Sequence, residues 1–177
     1  RNLIKTPIIT VNDEIYSKFC ESFPYVETPD QMKAIDEIAA DFQNDRPVDR
    51  LICGDVGFGK TEVALRAVCQ ILASDHPTQI AILVPTTLLA RQHFKTLSQR
   101  FAGLPFRIAQ LSKFTDKKQV KGIKADIADG KVDVVVGTHM LLAKDIRFAN
   151  LGLLIIDEEQ HFGVGQKERL KELKVVL

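Results

Sequence analysis

The segment Gly54-Asp55-Val56-Gly57-Phe58-Gly59-Lys60-Thr61 matches the phosphate-binding loop pattern G-x-x-x-x-G-K-[ST] without a gap. In such a loop, glycines let backbone N–H groups surround phosphate oxygens, and the helix that begins there adds the positive end of its dipole. The Lys60 ammonium then reaches the outer phosphates, and the Thr61 hydroxyl ligates Mg²⁺. The segment therefore predicts a binding site for a nucleoside triphosphate.

Two carboxylates, Asp157 and Glu158, directly follow the apolar run Leu153–Ile156 further along the chain. Mg²⁺ prefers oxygen ligands and keeps several waters, so Asp157 at a strand end predicts a second metal ligand beside Thr61. The neighbouring Glu158 is suited to polarise an attacking water. These acids would alternatively cap a helix, but a phosphate loop in the same chain favours a catalytic set of Lys60, Asp157 and Glu158.

The stretch Thr28-Pro29-Asp30-Gln31 has two interpretations. Thr at an N-cap, Pro at the first helical position and Gln at the third form a capping box, in which Gln31 serves its own backbone. Alternatively, Gln31 pairs with the edge of an adenine, helped by an aromatic such as Phe23 or Tyr25. From spacing alone the capping box is favoured, because it meets a local need of the helix.

Polar residues also follow two other apolar runs, at Pro85-Thr86-Thr87 and at Gly137-Thr138-His139. Helix starts of this kind favour phosphate groups, including those of a nucleic-acid backbone. Ordinary N-caps at Thr86 and Thr138 explain the same residues equally well.

Alternating strand and helix patterns predict an α/β fold with a mostly parallel sheet, whose ligand edge lies after the strands. Its strands are rich in Ile, Val and Leu, as doubly buried strands are. The predicted strands are 51–53, 79–84, 106–111, 132–136 and 153–156, and the predicted helices are 62–73, 88–101, 117–129 and a short one near Met140. The segment 167–177 is typical of a basic amphipathic helix.

Length and composition suit one soluble domain. The 177 residues have a net charge of +1, and no apolar run is long enough to span a bilayer. Three cysteines without C-x-x-C spacing are consistent with a reducing cytoplasm. Residues 91–147 hold twelve Lys/Arg against five Asp/Glu, which suits a nucleic-acid face or, equally, a solvated helix surface. Residues 1–22 are predicted to be a lead-in segment or linker, and residues 23–177 the domain.

With these motifs in place, the chain resembles the first motor lobe of superfamily 2 DNA translocases, most of all the bacterial transcription-repair coupling factors. The resemblance covers residues 23–175 and rests on the phosphate loop, including Phe58, together with several other runs. These are Phe23-Pro24-Tyr25, Thr28–Gln31, Pro85–His93, Gly137–His139 with Leu141-Leu142, Asp157–Gln160 and Phe162–Val164. A RecG-type branch-migrating helicase, where Ser is usual in place of Phe58, is the alternative within this superfamily.

The resemblance implies a P-loop NTPase with a RecA-like three-layer fold, which uses ATP and Mg²⁺. It assigns Gln31 to adenine, residues 54–61 to the phosphates and metal, and Asp157 and Glu158 to hydrolysis. Thr86, Gln92, Thr138 and His139 are implied to lie on or near double-stranded DNA. Two departures from the family pattern, Met140 in place of Lys and His161 in place of Arg, place one DNA contact and one charge-dependent coupling in doubt.

The implied whole protein is a cytoplasmic, ATP-driven translocase that removes stalled RNA polymerase and couples transcription to excision repair. It would contact the polymerase and the repair proteins through regions outside this chain. In related phosphoryl-transfer enzymes, arginine fingers of a second lobe increase the rate of hydrolysis by about 10³- to 10⁵-fold. We therefore expect this lobe alone to bind ATP weakly and to hydrolyse little. A DNA-binding module with a vestigial nucleotide site is the alternative outside the enzyme class.

Overall fold

The computed structural model of the chain describes residues 10–43, 59–75, 78–157, 163–166 and 168. Residues 54–58, the predicted strand 51–53, Glu158, His161 and most of the predicted helix 167–177 lie outside the described residues. The chain divides into two compact units, Arg1–Pro77 and Thr78–Leu177. No helix of the described residues has both the length and the apolar character needed to cross a membrane.

The described part of the first unit contains three helices, and the third begins with the last residues of the predicted phosphate loop. They are α1 (Asp13–Glu21), α2 (Pro29–Phe42) and α3 (Gly59–Leu72). Both α1 and α2 pack against α3, whose apolar residues from Val63 to Leu72 are almost all buried. The predicted helix 62–73 is confirmed, and it begins three residues earlier than predicted.

The described part of the predicted lead-in segment is also packed against α3. The Phe19 side chain of α1 is buried, and the Asn12 N–H donates to the Ala73 carbonyl at 2.7 Å. Val11 forms an antiparallel bridge with Ser74. Helix α1 therefore covers apolar surface of α3, which stabilises both helices.

The second unit is a four-stranded parallel sheet with the strand order β2-β3-β1-β4. Its strands are β1 (Gln79–Leu83), β2 (Ile108–Leu111), β3 (Val134–Gly137) and β4 (Leu151–Ile156). All four were predicted, although β2 and β3 begin two residues later than expected and β4 begins two residues earlier. Phe106 instead belongs to a turn, where its N–H donates to the Leu104 carbonyl at 2.9 Å and its ring packs edge-on against Phe101.

Helices connect the strands in right-handed crossovers. The chain crosses the sheet in one direction from β1 through α4 (Thr87–Arg100) to β2, and returns through α5 (Lys117–Ala128) to β3. Because the two crossings run in opposite directions, the handedness rule places α4 and α5 on opposite faces of the sheet. On the α5 face, Ile127 packs in a core with Leu83, Leu111 and Val135. A 3₁₀ turn (His139–Leu142) follows β3.

Three neighbouring strands end at the same level of the sheet. Leu83 of β1 pairs in register with Gly137 of β3 on one side and with Ile156 of β4 on the other. The space beside Gly137 is closed, because a Cβ there would lie 2.6 Å from both the Leu111 carbonyl oxygen and the Leu141 Cγ. The residues that follow these strands, Val84, Thr138 and Asp157, therefore emerge along one edge.

A single buried glutamine joins the elements at the opposite edge. The Gln79 Nε2 donates to the carbonyls of Ile127 at 2.9 Å and Val132 at 3.0 Å, and its Oε1 accepts from the Asn150 N–H at 2.9 Å. Three backbone groups from the end of α5 and the starts of β3 and β4 hydrogen-bond to this side chain, and the Ile127 carbonyl also accepts from the Gly130 N–H at 3.2 Å. An apolar residue of similar size would remove the three bonds made by Gln79.

We expect Gln79→Leu to lower the free energy of unfolding by about 3 kcal/mol, because buried backbone groups lose their hydrogen bonds. Urea denaturation measures the loss. Gln119→Leu on the exposed surface of α5 is the matched control and should change stability by less than about 0.5 kcal/mol. Equal effects of the two substitutions would contradict the role assigned to Gln79.

Candidate nucleotide site and nucleic-acid interface

The first turn of α3 carries the last residues of the predicted phosphate loop. Gly59 and Lys60 begin the helix, and Thr61 is exposed in its first turn. The leading N–H groups of a helix have no partner within it and carry a partial positive charge, so this turn is suited to an anion. Thr61 also offers the oxygen donor that a Mg²⁺ ion accepts.

The capping box predicted at the start of α2 is present. The Thr28 hydroxyl accepts from the Gln31 N–H at 3.1 Å, and the Gln31 Oε1 accepts from the Thr28 N–H at 2.8 Å. Gln31 is buried, with 9% of its surface exposed. The second bond fixes the orientation of the Gln31 amide relative to the backbone just before α2.

A buried ion cluster in the first unit was not predicted from the sequence. The Arg66 guanidinium of α3 donates from Nε to Glu62 at 2.6 Å and from Nη2 to Glu27 at 2.5 Å. It also lies over the Phe23 ring, 5.8 Å from the centroid, and Phe23 in turn packs edge-on against the exposed Tyr25. Only 4% of the Arg66 side chain is exposed.

The charges of this cluster support one another. Burial opposes the charged form of Arg66, but its hydrogen bonds to Glu27 and Glu62 outweigh this effect and raise the pKa of the guanidinium. The bond from Arg66 lowers the pKa of Glu27. Helix α1 borders the same cluster through Tyr16, whose hydroxyl accepts from Gln70 at 3.2 Å and whose pKa is raised by burial. Arg66 and Glu27 therefore stay ionised at neutral pH.

Part of this cluster left a signal in the sequence. Glu62 and Arg66 are four residues apart, the spacing at which side chains on one helix face meet. Glu27 lies 39 residues from Arg66, and no local pattern connects them.

In the second unit, the predicted metal ligand Asp157 contacts a histidine. The Asp157 N–H donates to the Leu83 carbonyl at 2.9 Å, which holds the residue at the end of β4 beside β1. Its Oδ2 lies 2.9 Å from the Nε2 of His93 on α4. The carboxylate is partly exposed and supplies an oxygen donor of the kind that Mg²⁺ binds.

The four predicted DNA-contact residues follow β1 and β3 and differ in exposure. Thr86, Gln92 and His139 are exposed, whereas only 4% of Thr138 is. Thr86 is the N-cap of α4, where its hydroxyl accepts from the Leu89 N–H at 3.2 Å. Thr138 makes no such side-chain cap. The capping alternative therefore holds for Thr86 and fails for Thr138.

The acidic residues of the basic segment 91–147 are engaged within the second unit. Asp126 pairs with Arg107 at 2.7 Å and Asp145 with Lys124 at 2.7 Å, while Asp116 caps α5. Asp133 accepts from the Arg107 N–H, and Asp129 lies 4.0 Å from Lys131. Further basic side chains are exposed on this unit, at positions Arg91, Lys95, Lys113, Lys117, Lys118, Lys121, Lys144 and Arg147.

Comparison with known proteins supports the resemblance inferred from the motifs. The DEAD/DEAH box helicase family profile matches residues 28–176. The chain is 52% identical over 176 residues to a transcription-repair-coupling factor of Rickettsia conorii, covering 98% of this chain and 16% of that protein. The corresponding protein of Escherichia coli is 52% identical over 161 residues, covering 91% of this chain and 14% of its own length.

A solved structure of RecG bound to a three-way DNA junction superposes on this chain with a TM-score of 0.79 and a sequence identity of 36%. The superposed region covers 88% of this chain and 21% of the RecG chain. The resemblance to transcription-repair coupling factors and the predicted RecA-like α/β fold are thus confirmed. The chain spans about a sixth of the length of the curated relatives that it matches.

The contact between His93 and Asp157 can be tested by NMR spectroscopy. Asp157→Asn should shift the imidazole resonances of His93 by NMR, because it removes a charged acceptor 2.9 Å from the ring. Asp145→Asn, in an exposed pair with Lys124, is the control and should leave those resonances unchanged. An unmoved His93 signal in Asp157→Asn would mean that the two side chains are apart in solution.

Proposed function

Because the chain belongs to the DEAD/DEAH box helicase family, we propose that it is the ATP-binding motor lobe of a double-stranded DNA translocase. The observation that carries the proposal is the identity of 52% to transcription-repair-coupling factors across almost the entire chain. The whole protein would use ATP to move along DNA, remove stalled RNA polymerase and couple transcription to excision repair. It would act in the cytoplasm and contact those partners through other regions.

The nucleotide side of the proposal rests on oxygen and nitrogen donors that suit ATP and Mg²⁺. Residues 54–61 would surround the phosphates, and Gln31 would recognise adenine. Thr61 and Asp157 supply hydroxyl and carboxylate oxygens, the donors that suit a Mg²⁺ ion, which would neutralise phosphate charge when bound. Glu158 would orient the attacking water, and Lys60 would hold the outer phosphates.

The DNA side of the proposal rests on the edge where β1 and β3 end. Exposed Thr86, Gln92 and His139 are polar groups that suit a phosphate backbone, and Arg91 adds positive charge beside Gln92. Because Thr138 is buried, it would support the neighbouring His139 rather than contact DNA itself. A duplex bound mainly through its phosphates makes affinity strongly dependent on salt.

Two alternatives remain. The first is a RecG-type helicase lobe, which the structural neighbour at 36% identity supports. The identity of 52% to a coupling factor is higher and supports the main proposal. A DNA-binding module with a vestigial nucleotide site would bind DNA independently of ATP and would keep that affinity in Lys60→Ala.

Calorimetry with ATP and Mg²⁺ tests the nucleotide site. Lys60→Ala should weaken ATP binding by at least about tenfold, because a charge-assisted phosphate contact is lost. Phosphate release from the unmodified chain should remain slow. Lys131→Ala, an exposed substitution before β3, is the matched control. Equal affinity in Lys60→Ala and the unmodified chain would overturn the assignment of the phosphate loop.

Fluorescence anisotropy with a labelled duplex, measured over a series of KCl concentrations, tests the DNA edge. Arg91→Ala should weaken binding and reduce the slope of log affinity against log salt by about one, the value for one lost phosphate contact. Lys131→Ala at the opposite edge of the sheet should leave the slope unchanged. The same slope for both variants would place DNA elsewhere on the chain.

A further inference from the structure

The buried cluster around Arg66 joins the two parts of the proposed nucleotide site within the first unit. Arg66 lies about two turns beyond Gly59 on α3, the helix whose first turn carries Lys60 and Thr61. Its partner Glu27 directly precedes Thr28, the N-cap of α2. One guanidinium therefore connects the phosphate side of the site to the segment that carries the proposed base-binding groups.

The connection to Gln31 runs through consecutive bonded groups. Arg66 holds the Glu27 carboxylate at 2.5 Å, and the adjacent Thr28 N–H holds the Gln31 Oε1 at 2.8 Å. The guanidinium also faces the Phe23 ring, at a distance where a cation attracts an aromatic face. The N–H that orients the Gln31 amide thus belongs to the residue directly after the one that Arg66 binds.

Stability alone does not account for charged residues at this place. A buried ion pair is commonly no more stabilising than apolar residues of the same volume, because both charges lose their hydration. A guanidinium differs from an apolar side chain in presenting donors in a rigid planar fork, which fixes the direction of its partners. Arg66 uses two donors on two carboxylates from different segments, so its geometry sets where segment 23–31 lies.

We infer that Arg66 is a positioning residue for base recognition: through Glu27 it fixes residues 23–31 on the helix that begins at the phosphate loop. The inference rests on the proposed ATP site and adds residues to it. A segment held in place before the nucleotide binds loses less conformational freedom on binding, so affinity for the base portion increases. Affinity for the phosphates, which contact residues 54–61, does not depend on this link.

Calorimetry with two ligands, MgATP and magnesium tripolyphosphate, separates the base from the phosphates. Glu27→Gln should weaken ATP binding by about three- to tenfold, the effect of losing one charge-assisted hydrogen bond, and should leave tripolyphosphate binding unchanged. Arg66→Lys keeps a positive charge beside Glu62 but cannot bond both carboxylates in the same fork. Arg66→Lys should therefore also weaken ATP binding and leave tripolyphosphate binding unchanged.

Asp145→Asn is the control, because it removes the carboxylate of an ion pair in the second unit and should change neither affinity. ATP affinity unchanged in both Glu27→Gln and Arg66→Lys, or equal losses for ATP and tripolyphosphate, would overturn the inference alone. Failure of the unmodified chain to bind either ligand would overturn the proposed function, and the inference with it.

Discussion

The parallel pairing of β1 with both β3 and β4 is the constraint on which the second unit depends. Leu83 aligns with Gly137 and Ile156 at once, so three strands deliver their following residues to one edge. Shifting one of these strands by a residue would turn its side chains to the other face. The closed space beside Gly137 and the three hydrogen bonds of Gln79 hold the register of the strands from opposite ends.

In the described part of the first unit, the charged side chain of Arg66 organises the segment before α2. Apolar packing brings α1 and α2 onto α3, but it does not specify how the segment before α2 is oriented. Arg66 supplies that direction, because its two carboxylate partners come from different parts of the chain. Hydrophobic burial gives most of the stability here, while hydrogen-bonding geometry gives the arrangement that a ligand site requires.

The sequence predicted what depends on short-range patterns. Apolar runs rich in Ile, Val and Leu located all four described strands, and Thr-Pro-Asp-Gln located the start of α2 with its capping box. Contacts between distant segments were missed. Neither the bond of His93 to Asp157, 64 residues apart, nor that of Glu27 to Arg66 has a local signature. The burial of Thr138 was not predicted either, since it depends on tertiary packing.

The packing of α1 on α3 affects where the lobe begins. The family profile starts at residue 28, after Phe19 and Glu27, although the identity to a transcription-repair-coupling factor extends over 98% of the chain. A polypeptide trimmed to that point would expose the apolar surface of α3 that Phe19 covers and leave Arg66 without one of its two carboxylates. Freshly exposed apolar surface of this kind promotes association between chains. Residues 10–27 of this chain therefore contribute to the packing and to the ion pairs of α3.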